Sequence, residues 1–119
     1  MSLSRWFRKS EFECKCGCGE EFEIDPNLIY VLGEIREYVG HPLYISSGYR
    51  CKKHNKAVGS TEKSQHRKGK AADIYFEYHK PKQVADIAED VLDGRGGLGR
   101  YETFTHVDVR KVKARWGKN

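Results

Sequence analysis

An α+β fold with a small antiparallel sheet follows from three features of the sequence. Two stretches, 26–39 and 81–91, carry apolar residues at helical spacing. Several shorter runs alternate in the manner of strands, with side chains pointing to opposite faces in turn. In two of those runs, around Asp73 and His106, one face is apolar and the other holds polar, ligand-type groups. Helices are therefore expected on one face of the sheet and a polar site on the other.

Each element has a local cause. Residues 1–24 read as an irregular entry segment, with Glu11–Cys14 and Glu21–Ile24 as short extended pieces around a glycine-rich cysteine cluster. Asp25-Pro26 opens the first helix, Asp as N-cap and Pro at the first helical position. Leu28, Ile29, Leu32, Ile35 and Val39 form its apolar stripe, and Gly40 and Pro42 stop it. A short strand at 43–46 leads to a sharp turn at Gly48, with a short helix expected near 49–58. The loop 59–65 is polar and suits the rim of a site. After Gly69, a strand at 71–76 sets Ala71, Asp73 and Tyr75 on one face and Ala72, Ile74 and Phe76 on the other. Pro81 opens a second helix whose buried stripe is read as Val84, Ile87, Ala88 and Val91. Gly94, Gly96, Gly97 and Gly99 read as a glycine-rich turn, followed by strand-like runs at 98–101, 104–110 and 112–116. In the middle run Thr105, Val107 and Val109 share a face, and Phe104, His106, Asp108 and Arg110 share the other.

The chain has 119 residues, enough for one domain over 1–119 with its own core. Hydrophobic residues at 38% and charged residues at 33% are a globular profile rather than a disordered one. No apolar run is long enough to span a bilayer, so no membrane partner is expected. Positions 1–10 lack the apolar core of a secretory signal, which predicts synthesis in the cytoplasm without a signal peptide. The formal charge of +5, concentrated in 50–70 and 110–118, suits an anionic partner. No nucleic-acid-binding motif accompanies it, so nucleic acid is not expected. Nothing points to an oligomer, and a monomer is expected.

Cys14, Cys16 and Cys18 lie too close in sequence for an ordinary disulfide framework, and Cys51 stands apart. Free thiols are the plain reading. A second, structural Zn2+ held by Cys14, Cys16 and Cys18 is the lesser alternative, because the spacing is not the usual pair separated by two residues. His41, His54 and His79 read as solvated surface residues.

Asp73 sits in a strand that otherwise buries itself, and His106 interrupts a run of alternating valines. An ionised carboxylate buried alone costs several kcal/mol, on the order of the Born penalty after relaxation, so Asp73 needs a cation or strong donors beside it. Zn2+ answers this for both residues, and His66 can swing back over the same face across the Gly69 turn. Two imidazoles and a carboxylate leave the open position that a catalytic zinc site requires. Taken singly, a strand histidine is more often a satisfied core residue and a buried aspartate more often a turn or cap residue. Arg50 suits polarising a carbonyl or gripping a carboxylate, and equally a surface ion pair.

Taken together, Ser46-Ser47-Gly48-Tyr49-Arg50, then Ser64-x-His66-x-x-Gly69-x-Ala71-x-Asp73, then His106-Val107-Asp108 resembles the zinc D-alanyl-D-alanine peptidase family. That family shares its fold and metal site with the hedgehog signalling domain. The resemblance covers about 12–116 and implies a zinc-dependent hydrolase cleaving an amide bond in peptidoglycan peptides, as D,D-carboxypeptidase or cell-wall endopeptidase. It implies His66, Asp73 and His106 as ligands of one catalytic Zn2+, Arg50 near the scissile carbonyl, and Ser64 in substrate binding. By the same analogy the enzyme is of endolysin type and acts on the cell wall. Many members carry their base as an acid three residues before the last histidine, or as a histidine two before it; here those positions are Thr103 and Phe104. Asp108, roughly 6.5–7 Å along the strand from His106, is the expected base and Glu102 the rival, while an orienting role for Asp108 is its plainer reading. The missing acid also feeds an alternative, a catalytically inactive, metal-stabilised binding domain of hedgehog type.

Overall fold

The structure, a computed structural model, describes residues 3–61 and 63–118. Met1, Ser2, Asn119 and, in the rim loop, Glu62 lie outside the described residues. Three helices, α1 (Pro26–Val39), α2 (Lys52–Ala57) and α3 (Pro81–Leu92), accompany five strands. These are β1 (Tyr44–Ser47), β2 (Ala71–Tyr75), β3 (Gly97–Arg100), β4 (Thr105–Asp108) and β5 (Ala114–Gly117), in the sheet order β1-β2-β4-β3-β5.

Helix α1 begins as its sequence dictates: Asp25 accepts a hydrogen bond from the Asn27 N–H at 2.8 Å, and Pro26 needs no N–H partner. It ends at Gly40 in the left-handed conformation. Leu28, Ile29, Leu32 and Ile35 are buried. Helix α3 is turned slightly from its expected orientation. Its buried residues are Val84, Ala85, Ala88 and Leu92, while Ile87 and Val91 are only partly covered. The cause is a double contact: α3 packs against β3 and β4 on one side and α1 on another, and the small Ala85 and Ala88 allow that approach. No helix among the described residues is long and apolar enough to cross a membrane.

Among the described residues, the entry segment contributes no named strand to the sheet. Glu11 and Phe12 belong to a 3-10 helix, Lys9–Phe12; burial of Phe12, Cys14, Phe22 and Ile24 fastens the segment to the core, and the Tyr49 hydroxyl donates to Glu20 at 2.6 Å. Beneath the sheet, Ala72, Ile74, Leu98 and Val107 meet the α1 and α3 side chains in one core. Four strands pair antiparallel, as the alternation predicts. The fifth pairs parallel with β3. The reason is topological: β4 already has β2 and β3 on its two edges, so β5, reversing after β4, takes the nearer free edge, the outer edge of β3, which runs its way. Gly97 and Gly99 are strand residues, not turn residues; the left-handed turn before them is made at Asp93, Gly94 and Gly96.

The register carries the polar face. Asp73 pairs across from His106, and His106 from Gly99, which in turn faces Trp116. One row of side chains thus crosses four strands. His66 reaches this row from a 3-10 helix, Gln65–Lys68, capped by Ser64 and ended by Gly69 at φ 69°. A Cβ at Gly69 would run into the carbonyl of Glu23, and the Gly69 carbonyl accepts the Asp25 N–H at 2.9 Å. Gly69→Ala should therefore destabilise the fold by about 2 kcal/mol or more, through left-handed strain plus overlap. Urea unfolding should show a lower midpoint with an unchanged slope.

Candidate metal centre

His66, Asp73 and His106 are all buried, and each offers one ligand atom within 4.8 Å of the others. His66 Nε2 lies 3.2 Å from Asp73 Oδ1, and His106 Nδ1 lies 3.1 Å from the same oxygen. Nitrogen and oxygen ligands at about 2.1 Å from one tetrahedral ion are spaced about 3.4 Å apart, so the set closes on zinc with little movement.

The far sides of the rings decide what the near sides can be. His66 Nδ1 lies 2.7 Å from the Gly48 carbonyl, which can only accept, so Nδ1 carries a proton. His106 Nε2 lies 2.7 Å from Asp108 Oδ2 and must likewise donate. In the neutral rings, His66 Nε2 and His106 Nδ1 then both aim lone pairs at an anionic oxygen. Only a proton on each ring or a cation between them relieves that repulsion. A neutral histidine with its remote N–H bonded to a carbonyl or carboxylate is the ordinary condition of a metal ligand. The donor set fits Zn2+.

In the metal-free protein the charges favour the other way out, a proton in the cation's place. Burial pushes the Asp73 carboxyl up, but hydrogen bonds from His106 and His66 prevail and hold it at about 2. At His106 burial opposes the charged form, yet the hydrogen bonds to Asp108 and Asp73 raise its pKa above that of an ordinary histidine. Asp108, also opposed by burial, is kept well below the usual carboxylate range by His106 and Arg110.

Asp108 has no solvent-exposed surface, and both its oxygens are engaged. Arg110 donates to them through Nε, Nη2 and its own backbone N–H at 2.7–3.1 Å, and His106 occupies Oδ2 from the other side. The carboxylate stands behind the His106 ring, on the side away from Asp73. Gly97 makes room for it, since a Cβ there would overlap the Asp108 carboxylate. Glu102 is exposed in the turn between β3 and β4. Arg50 does reach the site: Nη2 lies 3.4 Å from Asp73 Oδ2, and Nε donates to Ser47 Oγ at 3.1 Å. Ser64 Oγ accepts the His66 N–H at 3.2 Å and lines the cleft.

That cleft, about 230 Å³, opens over the three ligand-type residues and is walled by Arg50, Ser64, Tyr101, Phe104 and Trp116. A larger groove of about 810 Å³ lies elsewhere, between α1 and the end of α3, without a converging set of ligand or nucleophilic groups. Chemistry rather than size places the site. Arg110 and Trp116 escaped the sequence reading as site residues. Arg110 was legible, because 106, 108 and 110 alternate onto one face. Trp116 was not: its ring reaches His106, 5.0 Å between centroids, only because β5 lies beside β3 and Gly99 leaves space for the indole. His79, expected at the surface, is half-buried edge-on against Phe76, with Nδ1 unpartnered.

Two outcomes follow. The raised His106 pKa stabilises the metal-free fold at pH below the ordinary value of about 6.5, and that contribution disappears as pH rises through the folded value. Zinc requires Nδ1 bare, so loading must release protons and affinity must fall as pH drops below the folded pKa; calorimetry in buffers of different ionisation enthalpy measures this. Asp108→Asn should weaken zinc binding by about 10–100-fold, whereas His66→Ala should abolish it at this centre; competition against a chelating dye separates the two.

A sequence profile described as Peptidase M15 matches residues 5–108, which include every residue named at this centre except Arg110 and Trp116. Comparison with curated proteins finds no match.

Proposed function

The chain belongs to the peptidase M15 family, and on that premise we propose that it hydrolyses an amide bond in peptidoglycan peptides, as a D,D-carboxypeptidase or an endolysin-type endopeptidase of the cell wall. The observation that carries this reading is the convergence of His66 Nε2, His106 Nδ1 and Asp73 Oδ1 at the floor of an open cleft. When bound, zinc supplies Lewis acidity, polarising a carbonyl and making water nucleophilic near neutral pH. The chain's own residues supply orientation and charge. The Gly48 carbonyl and Asp108 each hold one imidazole by its remote nitrogen, so that both rings present lone pairs to the same point. Arg50, tethered by Ser47 beside Asp73, brings a fixed positive charge to the rim, where it would steady a developing oxyanion or take a terminal carboxylate. Ser64 keeps a hydroxyl proton to donate to substrate while its oxygen caps the His66 turn.

Asp108 is assigned here to positioning rather than to proton transfer, because Arg110 and His106 already occupy both oxygens. Glu102 is the remaining candidate to carry the proton. It follows Tyr101 and precedes Phe104, both on the cleft wall, and movement of this exposed turn would bring its carboxylate over the site. One observation favours a second reading, a metal-stabilised binding domain without turnover: among the described residues, Asp73 is the only carboxylate lining the cleft.

Purified full chain incubated with peptidoglycan, with and without chelator, tests the proposal. Release of D-alanine or of new amino groups, lost on chelation and restored by zinc, is the expected result. Zinc-loaded protein that stays inert across several wall chemotypes would establish the binding domain instead. Given turnover, Arg50→Ala should lower kcat/KM by about a hundredfold with zinc retained, and Glu102→Gln should reduce kcat at unchanged zinc content.

A further inference from the structure

Four sulfurs gather on the far side of the loop that carries Arg50. Cys14, Cys16, Cys18 and Cys51 each place Sγ within 4.8 Å of the other three. The Cys14–Cys16 and Cys16–Cys51 separations are 3.3 and 3.6 Å. Sulfurs bound at about 2.3 Å to one tetrahedral zinc lie about 3.8 Å apart. We propose that these four cysteines hold a second Zn2+, in a closed, structural site separate from the His66–Asp73–His106 centre.

Local chain geometry is built for it. Alternate residues of an extended strand stand roughly 6.5–7 Å apart, too far for one ion. Here the segment coils instead: the Gly17 N–H closes a turn on the Cys14 carbonyl at 3.2 Å, and Gly17 and Gly19 adopt φ of 78° and 68°. Only glycine enters that region freely, so the alternating Cys-Gly pattern is what lets three neighbouring sulfurs share a point. Main-chain N–H groups are also aimed at sulfur: Cys51 N at Cys14 Sγ, His54 N at Cys51 Sγ and Glu20 N at Cys18 Sγ, at 3.3–3.4 Å. Such donors favour thiolates, the form a metal needs. A disulfide would join two of the sulfurs and leave unexplained why all four converge. Three cysteines close in sequence suggested an incomplete site; Cys51, delivered by the fold, makes it a full tetrathiolate.

The ion would clamp the entry segment onto the loop that serves the catalytic side. Tyr49 N–H donates to the Phe12 carbonyl at 2.9 Å, the Gly48 carbonyl holds His66, and Arg50 immediately precedes Cys51.

The test is metal content and cobalt spectroscopy on the full chain, with no reliance on turnover. Wild type loaded with zinc should carry two ions, and both His66→Ala and Cys16→Ser should carry one. Cys16 is exposed, so its replacement removes a ligand without opening the core. Cobalt-loaded wild type and His66→Ala should show thiolate-to-cobalt charge-transfer absorption, and Cys16→Ser should lose most of it. The thiols should resist alkylation until a chelator is added. A single zinc in wild type that Cys16→Ser retains, absence of the charge-transfer band, cysteines equally reactive with and without chelator, or a disulfide in freshly reduced and zinc-loaded protein would each overturn the site. Should Cys16→Ser fail to fold, the cobalt spectrum of His66→Ala decides alone.

Discussion

The antiparallel pairing of β2 with β4 is the constraint on which the site rests. It sets Asp73 directly opposite His106, with Ala72, Ile74 and Val107 facing the core between and beside them. Because strand side chains alternate, a slip of one residue would bury Asp73 among the apolar side chains and lift Ile74 into the cleft. The hydrophobic effect therefore enforces the register that makes the ligand pair. Only His66 is recruited from outside the sheet, by a capped 3-10 helix and a left-handed glycine.

Around this pair the structure spends its unusual residues on orientation. Asp108, itself ionised and gripped by Arg110, fixes the proton on the outer nitrogen of His106. Arg110 also lies over the Trp116 ring, which leans on His106. Two glycines of β3 leave the space: Gly97 for the Asp108 carboxylate and Gly99 for the indole. A buried network of this kind is favourable only when every member is satisfied, and here His66 Nδ1, His106 Nε2 and both Asp108 oxygens, all turned away from the cleft, have partners. The ligand atoms facing inward are the ones that do not match each other, and a cation resolves them.

The two metal-suited clusters sit on opposite sides of one short loop. The segment Gly48–Cys51 gives a carbonyl to His66, a guanidinium to the rim and a thiol to the cysteine cluster. Such an arrangement ties the order of the entry segment to the order of the catalytic face.

Most of the framework was written locally. Asp25-Pro26, Pro81 and the apolar spacing marked α1 and α3, and alternation around Asp73 and His106 marked which strand faces were polar. The three ligand-type residues and Arg110 were within reach for the same reason, since period-two geometry and short turns are properties of neighbouring residues; Arg50 was placed at the site only by the family resemblance. Distant partners were not. The parallel β5, the contact of Trp116 with His106, the capture of Asp108 by Arg110 and His106 rather than its exposure to the cleft, and the meeting of Cys51 with Cys14, Cys16 and Cys18 all depend on which strand edges and loops remain free after the core has packed. Sequence alone specified what each segment could present to a site, through backbone stereochemistry and the separation of apolar from polar side chains. Only the tertiary structure decided which presented groups meet, because that depends on edge occupancy and on the space left by glycines, neither of which any local stretch encodes.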